Sequence, residues 1–329
     1  MMRVGIIGCG RIVEEGHVPA YRELGVTVTA LADPVERRRE KIGDMLGVPS
    51  ERRFADYKLL LGQSDVDVVD IAVPHFHHHK VLMDAAQCKK HILCEKPLTT
   101  SLRQADQVLD AVAGAGVQLC VAHNYLYQPS MQLVRKMVQQ GAIGEPFLIR
   151  TEGLGGSHWD GAPEFNPEWR TQRAIAGFGC LLDNGYHDIY LARALLGEVK
   201  TVTAAVSTER EEHEVEDLAL ALLQHEFGTT SLQVSWAVSG GGQWVYEVYG
   251  SEGTLSLSRK SGKLMHYRGE WKELKAPPWE WGFKGLFSDF FSRLQRGEPS
   301  PVPGAEGRRN LEVILSAYEA SRTGVRQTV

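Results

Sequence analysis

The first 122 residues alternate between short apolar runs and helical patterns, and this alternation strongly constrains the fold. The apolar runs have the length of buried strands, and several end at a glycine, a proline or an aspartate. Strand–helix repeats of this kind predict a parallel sheet with helices on both faces. In such a sheet, ligands bind beyond the carboxyl ends of the strands. The predicted strands are Arg3–Ile7, Val26–Ala32, Val66–Val73, His91–Cys94 and Val117–Ala122.

The second half of the chain changes character near residue 145, where longer β-rich runs are joined by hairpin turns. Runs such as Val199–Ser207 and Asp217–Phe227 predict a large, mainly antiparallel open sheet. A length of 329 residues corresponds to about two domains. We therefore predict an α/β protein with a Rossmann domain, a doubly wound parallel sheet, over residues 1–123. Residues 124–329 are predicted to form an α+β domain.

The composition argues against several classes of protein. A net charge of −5 disfavours a broad nucleic-acid-binding surface, which needs a clustered basic excess. No apolar run approaches the roughly 20 residues of a membrane span, and the amino terminus lacks a secretory-signal pattern. The five cysteines are odd in number and form no CxxC pair. We therefore expect a cytoplasmic protein that binds neither nucleic acid nor membranes and contains no disulfide framework.

The histidine-rich segment Pro74–His79 raises the question of a metal site. Zinc needs three or four ligands that converge in space, whereas a sequential run at a helix start places two at most on one face. We therefore predict no metal site. Apart from His78, discussed below, we expect these histidines to cap the following helix or to face solvent.

A glycine-containing turn, Gly8–Val13, follows the first predicted strand and precedes a helical stretch. It matches two of the three glycines of the G-x-G-x-x-G pattern, with Val13 in the third place. Gly8 would allow the tight turn, and Gly10 would let the backbone approach a pyrophosphate at the start of the helix. By itself, the same fragment also fits an ordinary strand-to-helix turn.

Asp33 strengthens the dinucleotide interpretation because it ends the second strand, at the spacing expected of an acid that binds the adenosine ribose hydroxyls. A carboxylate at this position repels a 2′-phosphate and therefore favours NAD over NADP. The basic run Arg37–Arg39 follows closely and can either offset this repulsion or form a solvated helix face. NADP thus stays open as the cofactor.

Several motifs in order along the chain resemble the Gfo/Idh/MocA family of glucose–fructose oxidoreductase, inositol dehydrogenase and rhizopine-catabolism proteins, and the resemblance covers essentially the whole chain. One motif is Glu95-Lys96-Pro97 at the end of a strand. The others are Ile71–Pro74 with His78, Gly141–Pro146, Trp169-Arg170 and Gly179–His187.

The resemblance implies an NAD(P)-dependent oxidoreductase that acts on a secondary alcohol of a sugar, cyclitol or sugar derivative. It also implies that residues 124–329 serve in substrate binding and oligomerisation. It implies Lys96, Asp183 and His187 as catalytic residues that also contact the substrate. His187 with a carboxylate four residues away is a plausible general base, and the ammonium of Lys96 would stabilise a developing alkoxide. The expected cofactor contacts are Gly8, Cys9, Gly10, Arg11, Ile12, Asp33, Pro74, His78, Glu95, Lys96 and Asn124.

Several other residues have more than one interpretation. His158 and Trp159 lie in a glycine-rich loop and are expected substrate contacts, although the Trp159 ring either stacks on a sugar or simply packs. Tyr186 is adjacent to His187 and is an alternative proton carrier. Asp183 and His187 would otherwise be an ordinary helix-surface pair.

Two other functions remain as alternatives to the dehydrogenase. One is an enzyme with tightly bound, internally recycled NAD that cleaves glycosides or epimerises sugars without net redox. The other is a non-catalytic dinucleotide-binding regulator. In each case we expect a homo-oligomer, either a dimer or a tetramer, because the exposed face of a large sheet is a suitable subunit interface.

Overall fold

The computed structural model describes residues 2–155, 167–240, 242–259, 261–278 and 280–329. Its first sheet has six parallel strands in the order β3-β2-β1-β4-β5-β6, which is the strand order of the Rossmann fold. The prediction of a doubly wound parallel sheet is therefore confirmed. The strands are β1 (Arg3–Ile7), β2 (Thr27–Ala32), β3 (Arg53–Phe54), β4 (Val68–Ile71), β5 (His91–Cys94) and β6 (Leu119–Val121).

The helices around this sheet begin and end at residues suited to those positions. The helix that follows the strand His91–Cys94 begins after Ser101, whose hydroxyl accepts a hydrogen bond from the N–H of Gln104. It ends at Gly116, which has the left-handed φ of 67° that favours glycine. The helices are α1 (Val18–Leu24), α2 (Glu36–Leu46), α3 (Tyr57–Leu61), α4 (His75–Gln87), α5 (Leu102–Ala115) and α6 (Pro129–Gln139).

The second sheet has nine strands in the order β14-β13-β12-β11-β7-β10-β9-β8-β15. Among the described strands, β7 and β10 are the parallel pair, and the other pairs are antiparallel. The predicted large, mainly antiparallel open sheet is confirmed. The strands are β7 (Pro146–Leu154), β8 (Val199–Ser207), β9 (Leu218–His225), β10 (Thr229–Ser235), β11 (Trp244–Gly250), β12 (Thr254–Ser258), β13 (Leu264–Tyr267), β14 (Trp271–Leu274) and β15 (Gln327–Thr328).

The remaining helices are α7 (Arg173–Ala176), α8 (Tyr186–Leu196), α9 (Phe283–Arg296) and α10 (Gly304–Thr323). Helix α9 returns from the second sheet to the first, where its aromatic side chains enter the hydrophobic core of the first sheet. Phe287, for example, stacks on Tyr21 of α1 with ring centroids 5.0 Å apart. Part of the predicted second domain therefore completes the core of the first one.

The described residues include no helix long and apolar enough to cross a membrane. They also include no group of three or more histidine, cysteine, aspartate or glutamate side chains arranged to hold a metal ion.

Candidate active site

A cavity of about 1500 Å³ runs from the turn after β1 to the second sheet. It is larger than a typical small-ligand pocket, so it can hold a dinucleotide together with a substrate. One end is lined by the glycine turn and Asp33. The other end is lined by Lys96, which follows β5 of the first sheet, and by residues of the second half of the chain, namely Arg170, Asp183, His187, Arg210, Trp244 and Arg259.

The glycine turn has the features that binding a pyrophosphate requires. Gly8 has a φ of 97°, and a Cβ atom there would lie against the carbonyl oxygen of Ala72, so the position needs glycine. Gly10 lines the cavity, and a Cβ atom there would meet open space. Arg11 and Ile12 follow in the first turn of a helix, whose leading N–H groups lack intrahelical partners. The turn therefore fits a phosphate group.

Asp33 lies at the end of β2, lines the cavity and also shapes the turn. Its Oδ2 accepts a hydrogen bond from the N–H of Cys9 at 2.8 Å, and its Oδ1 accepts one from Val35 at 2.8 Å. The side chain of Cys9 is fully buried, so only its backbone is placed to act in the site. Arg38 lines the cavity close to Asp33 in sequence.

The structure corrects the expectation for His78. Its ring is fully buried, 2.7 Å from the carbonyl oxygen of Pro97 and 2.9 Å from that of Val73. The side chain thus links two backbone segments beneath the cavity and does not line it. Its neighbours in the histidine run, His75 and His77, do line the cavity.

Three other expected cofactor contacts lie at the cavity wall. Pro74 precedes α4 there. The side chain of Asn124 donates a hydrogen bond to the carbonyl oxygen of Trp281 at 2.8 Å, so its amide is already partly engaged. Glu95 is held by His17, whose Nε2 lies 3.1 Å from Glu95 Oε1.

Lys96 and Asp183 form the polar centre of the cavity end opposite the glycine turn. We call it the substrate end because the expected catalytic residues lie there. The Nζ atom of Lys96 donates to Asp183 Oδ1 at 2.5 Å and to the Asp183 carbonyl oxygen at 2.7 Å, and Arg170 Nε donates to Oδ2 at 3.1 Å. Burial opposes the ionised carboxyl, but the charges of Lys96 and Arg170 outweigh it and hold the pKa of Asp183 well below its ordinary value. The carboxylate is therefore ionised and fixes both cations.

His187 lines the cavity at the start of α8. Its Nδ1 lies 2.8 Å from the hydroxyl of Tyr190, and its ring stacks on Tyr125 with centroids 4.2 Å apart. Burial, and next the charge of Lys96, lowers the pKa of His187 well below its ordinary value. The imidazole is therefore neutral at physiological pH and can accept a proton.

The structure also corrects the expected relation of Asp183 to His187. Leu181–Gly185 forms a π-helical turn before α8, and such a turn changes the face on which a preceding residue lies. Among the described residues, the side-chain partners of the Asp183 carboxylate are Lys96 and Arg170, whereas His187 is oriented by Tyr190.

Tyr186 is not placed to carry the proton. Its ring is fully buried, and its hydroxyl lies 3.1 Å from His123 Nε2 and 3.4 Å from the carbonyl oxygen of Gly307. The hydroxyl therefore points into the core, and of the two adjacent residues His187 is the one that lines the cavity.

Two expected substrate contacts, His158 and Trp159, lie outside the described residues. Sequence reasoning missed several residues that line or support the substrate end. Arg170 belongs to a motif that we quoted without assigning it a role, and the others carry no spacing signal because distant segments bring them together. The missed residues are Tyr125, Arg170, Tyr190, Arg210, Trp244 and Arg259.

The chain is similar to known proteins over both of its halves. Residues 2–123 match the family model described as an oxidoreductase family with an NAD-binding Rossmann fold, and residues 131–256 match the GFO/IDH/MocA C-terminal domain. The chain is 30% identical to a D-apiose dehydrogenase of Paraburkholderia graminis over 338 residues, which cover 97% of this chain and 87% of that protein.

A myo-inositol 2-dehydrogenase of Thermotoga maritima is 28% identical, with coverage of 98% and 96% of the two chains. Among solved structures, an oxidoreductase from Agrobacterium radiobacter in complex with NAD+, L-tartaric acid and magnesium has a TM-score of 0.88 and 26% identity. That match covers 99% of this chain and 98% of the other. The chain therefore belongs to the GFO/IDH/MocA family of oxidoreductases with an NAD-binding Rossmann fold.

Proposed function

We propose that the protein transfers hydride between NAD and a secondary alcohol of a sugar, cyclitol or sugar derivative. One observation carries the proposal: Lys96, Asp183 and His187 line one end of a cavity whose other end is the glycine turn. The names of the D-apiose and myo-inositol dehydrogenases among its relatives support this substrate class.

In this mechanism His187 is the general base. Its Nδ1 is held by Tyr190, so Nε2 is the nitrogen left to take the hydroxyl proton of the substrate. For Nε2 to be unprotonated, Nδ1 must carry the hydrogen and donate it to the tyrosine hydroxyl oxygen. The lowered pKa keeps the ring neutral and ready to accept the proton.

Lys96 stabilises the oxygen that loses its proton. The ammonium is held in one position by two oxygens of Asp183, so it needs no reorganisation when negative charge develops on the substrate oxygen. In the reduction direction, the same charge polarises the substrate carbonyl. Bound NAD+ supplies the hydride acceptor, and NADH the hydride donor.

The other end of the cavity supports cofactor binding. Gly10 and the first helical turn would bind the pyrophosphate, and Asp33 would bind the adenosine ribose hydroxyls. The Asp33 carboxylate favours NAD, and the neighbouring Arg38 leaves NADP as a second cofactor.

The second sheet supports the expectation of a homo-oligomer, a dimer or a tetramer. Strand β9 alternates between buried residues and exposed ones, and the exposed set includes Leu220 and Leu222. Phe147 of β7 is also exposed. An exposed apolar sheet surface of this kind suits a subunit interface.

The test compares cofactor binding with turnover. Lys96→Ala should bind NADH as the native protein does and lose nearly all turnover on a panel of sugars and cyclitols followed by NADH absorbance. Lys272→Ala, on exposed strand β14, is the matched control and should keep full activity. Normal turnover by Lys96→Ala, or absence of NADH binding by the native protein, would refute the proposal.

A further inference from the structure

The substrate end of the cavity carries more positive than negative charge. Four cations line it, namely Lys96, Arg170, Arg210 and Arg259, whereas Asp183 and Glu95 are the carboxylates on the described wall there. Asp183 alone binds both Lys96 and Arg170. Glu95 faces the buried ring of His17, which also contacts Asp70. Asp188, which is not part of the cavity lining, pairs with Arg259. Four cations therefore stand against three carboxylates, which leaves a small excess of positive charge for the substrate.

Among these cations, Arg259 is buried and yet has N–H groups without a hydrogen-bond acceptor among the described residues. Its side chain is only 5% exposed, and its Nη2 donates to Asp188 Oδ1 at 2.6 Å and to Thr151 Oγ1 at 3.4 Å. Within the part of the chain that the structure describes, neither Nε nor Nη1 has a hydrogen-bond acceptor, and Nε is buried. Since Nε is closed to solvent, Nη1 is the unpaired nitrogen through which Arg259 can bind an acceptor in the cavity.

The position of Arg259 places such an acceptor beside the reacting hydroxyl. Its guanidinium carbon lies 5.8 Å from the ring centroid of Tyr125 and 5.6 Å from that of Trp244. The Tyr125 ring in turn stacks on His187. Arg259 and His187 therefore both lie beside the Tyr125 ring, close enough for one small molecule to contact both.

Arg210 extends this positive surface to the cavity rim. Buried Asp217 accepts hydrogen bonds from the N–H groups of Glu209 and Arg210, at 2.8 and 3.0 Å, so the loop is held in place. The guanidinium donates to Ser239 Oγ at 3.1 Å and lines the cavity. Its acidic neighbour Glu212 is 3.6 Å away and mostly exposed, so it offsets the charge only weakly.

We propose that the substrate carries an anionic oxygen group, a carboxylate or a phosphate ester, which binds to Arg259, with Arg210 at the rim. This inference rests on the proposed function and narrows its substrate class. A guanidinium group pairs with carboxylate or phosphate oxygens through charge-assisted hydrogen bonds. A neutral sugar or cyclitol would leave Nη1 of Arg259 without a charged acceptor.

The first experiment compares matched neutral and anionic probes on the native protein. NADH binding is measured first, because its absence refutes the proposed function itself. Turnover with NAD+ is then followed for aldoses and alditols, for aldonates and uronates of the same carbon chains, and for aldose phosphates. We expect kcat/KM for an anionic series to exceed that of its neutral counterparts at least tenfold, and the better series identifies carboxylate or phosphate. Equal or better turnover of the neutral probes overturns the inference alone.

Equilibrium binding to the NADH-loaded protein covers the case in which no probe is turned over. Aldonates, uronates or aldose phosphates should then bind at least tenfold more tightly than the matched alditols and aldoses, with weaker binding at high ionic strength. Binding that shows no preference for the anionic probes, or no binding by any of them, overturns the inference.

Variants locate the binding site. Arg259→Gln should raise KM for the anionic probe at least tenfold with a smaller change in kcat, and should leave the affinity for NADH unchanged. Because this change leaves Asp188 buried without its partner, Arg259→Met combined with Asp188→Asn serves as a second variant that removes both charges. Arg210→Gln tests the rim, and Arg268→Gln on the exposed turn after β13 is the control. Equal losses with neutral and anionic probes overturn the assignment to Arg259.

Discussion

The Nζ atom of Lys96 lies 2.5 Å from Asp183 Oδ1, although 87 positions separate the two residues in the sequence. The contact joins the end of a strand in the first sheet to the π-helical turn before α8. Arg170 binds the second oxygen of the same carboxylate. Asp183 therefore acts as a common anchor that fixes the position of both cations at the substrate end.

This arrangement predicts the effect of Asp183→Asn. The amide keeps the shape of the side chain but cannot pair with two cations, so Lys96 loses its fixed position. We expect kcat to fall about 100-fold or more, as is typical when a preorganised charge is disturbed, while the affinity for NADH changes little. Steady-state kinetics and NADH titration check this, and an activity within threefold of native would contradict the anchoring role.

The glycine turn offers a matched pair of variants. Gly8→Ala should destabilise the protein, since its Cβ atom would meet the Ala72 carbonyl and its φ of 97° is unfavourable for alanine. Gly10→Ala meets open space and should leave the melting temperature unchanged. It should nonetheless weaken NADH binding about tenfold or more, because the new methyl group fills the space into which the pyrophosphate comes. Thermal melts and NADH titrations of both variants check this, and unaltered binding by Gly10→Ala would place the pyrophosphate elsewhere.

The lowered pKa of His187 predicts how activity depends on pH. The ordinary histidine pKa is about 6.5, whereas burial and Lys96 keep His187 neutral at lower pH in the folded protein. The kcat/KM of alcohol oxidation should therefore stay constant between pH 7 and pH 6, because His187 remains unprotonated and available as the base. A pH–rate profile of the free enzyme checks this, and a fall with a midpoint near 6.5 would contradict it.

Tyr190→Phe tests the orientation of the same base. The change removes the hydroxyl that holds His187 Nδ1 and should lower kcat about tenfold without altering NADH binding. Tyr190→Phe also frees the Tyr125 N–H, which donates to that hydroxyl at 3.0 Å. Tyr318→Phe removes a partly buried hydroxyl that donates to Glu216 outside the cavity, and it serves as the structural control.

The sequence predicted the parts of the fold that depend on local pattern. Apolar runs and their terminating residues located five of the strands of the first sheet. The resemblance to the Gfo/Idh/MocA family pointed to Lys96, Asp183 and His187, all of which line the cavity. Strand β14 was not predicted because its side chains are largely exposed and show no alternation of apolar residues. Arg259 and Arg210 were missed since their roles depend on tertiary contacts with Asp188 and Asp217.

The errors in the site have the same origin. His187 was assigned a carboxylate partner from an α-helical spacing of four residues, and the π-helical turn Leu181–Gly185 changed that geometry. His78 was assigned to the cofactor, yet the carbonyl groups of Val73 and Pro97 hold it in the core. Neither the additional residue in a helical turn nor a backbone partner leaves a pattern that spacing alone can reveal.

The ring of His17 is a further buried group that lies beneath the site and carries a charge. Its Nδ1 lies 2.8 Å from Asp70 Oδ2 and its Nε2 3.1 Å from Glu95 Oε1, and Tyr21 donates to the same Asp70 oxygen. With a carboxylate at each nitrogen, the ring donates to both only when it is protonated. Burial opposes this charge, but Asp70 and Glu95 outweigh it and raise the pKa of His17 to about 10.

A raised pKa in the folded state makes stability depend on pH in a defined direction. Unfolded histidine loses its proton near pH 6.5, so the contribution of His17 is complete below that pH and is lost as the pH rises towards 10. The loss is on the order of 5 kcal/mol. Urea unfolding at pH 6.5, 8 and 9.5 should show a steeper fall in the free energy of unfolding for the native protein than for His17→Gln, which carries no titrating charge there. Parallel pH profiles for the two proteins would show that the ring is neutral between Asp70 and Glu95.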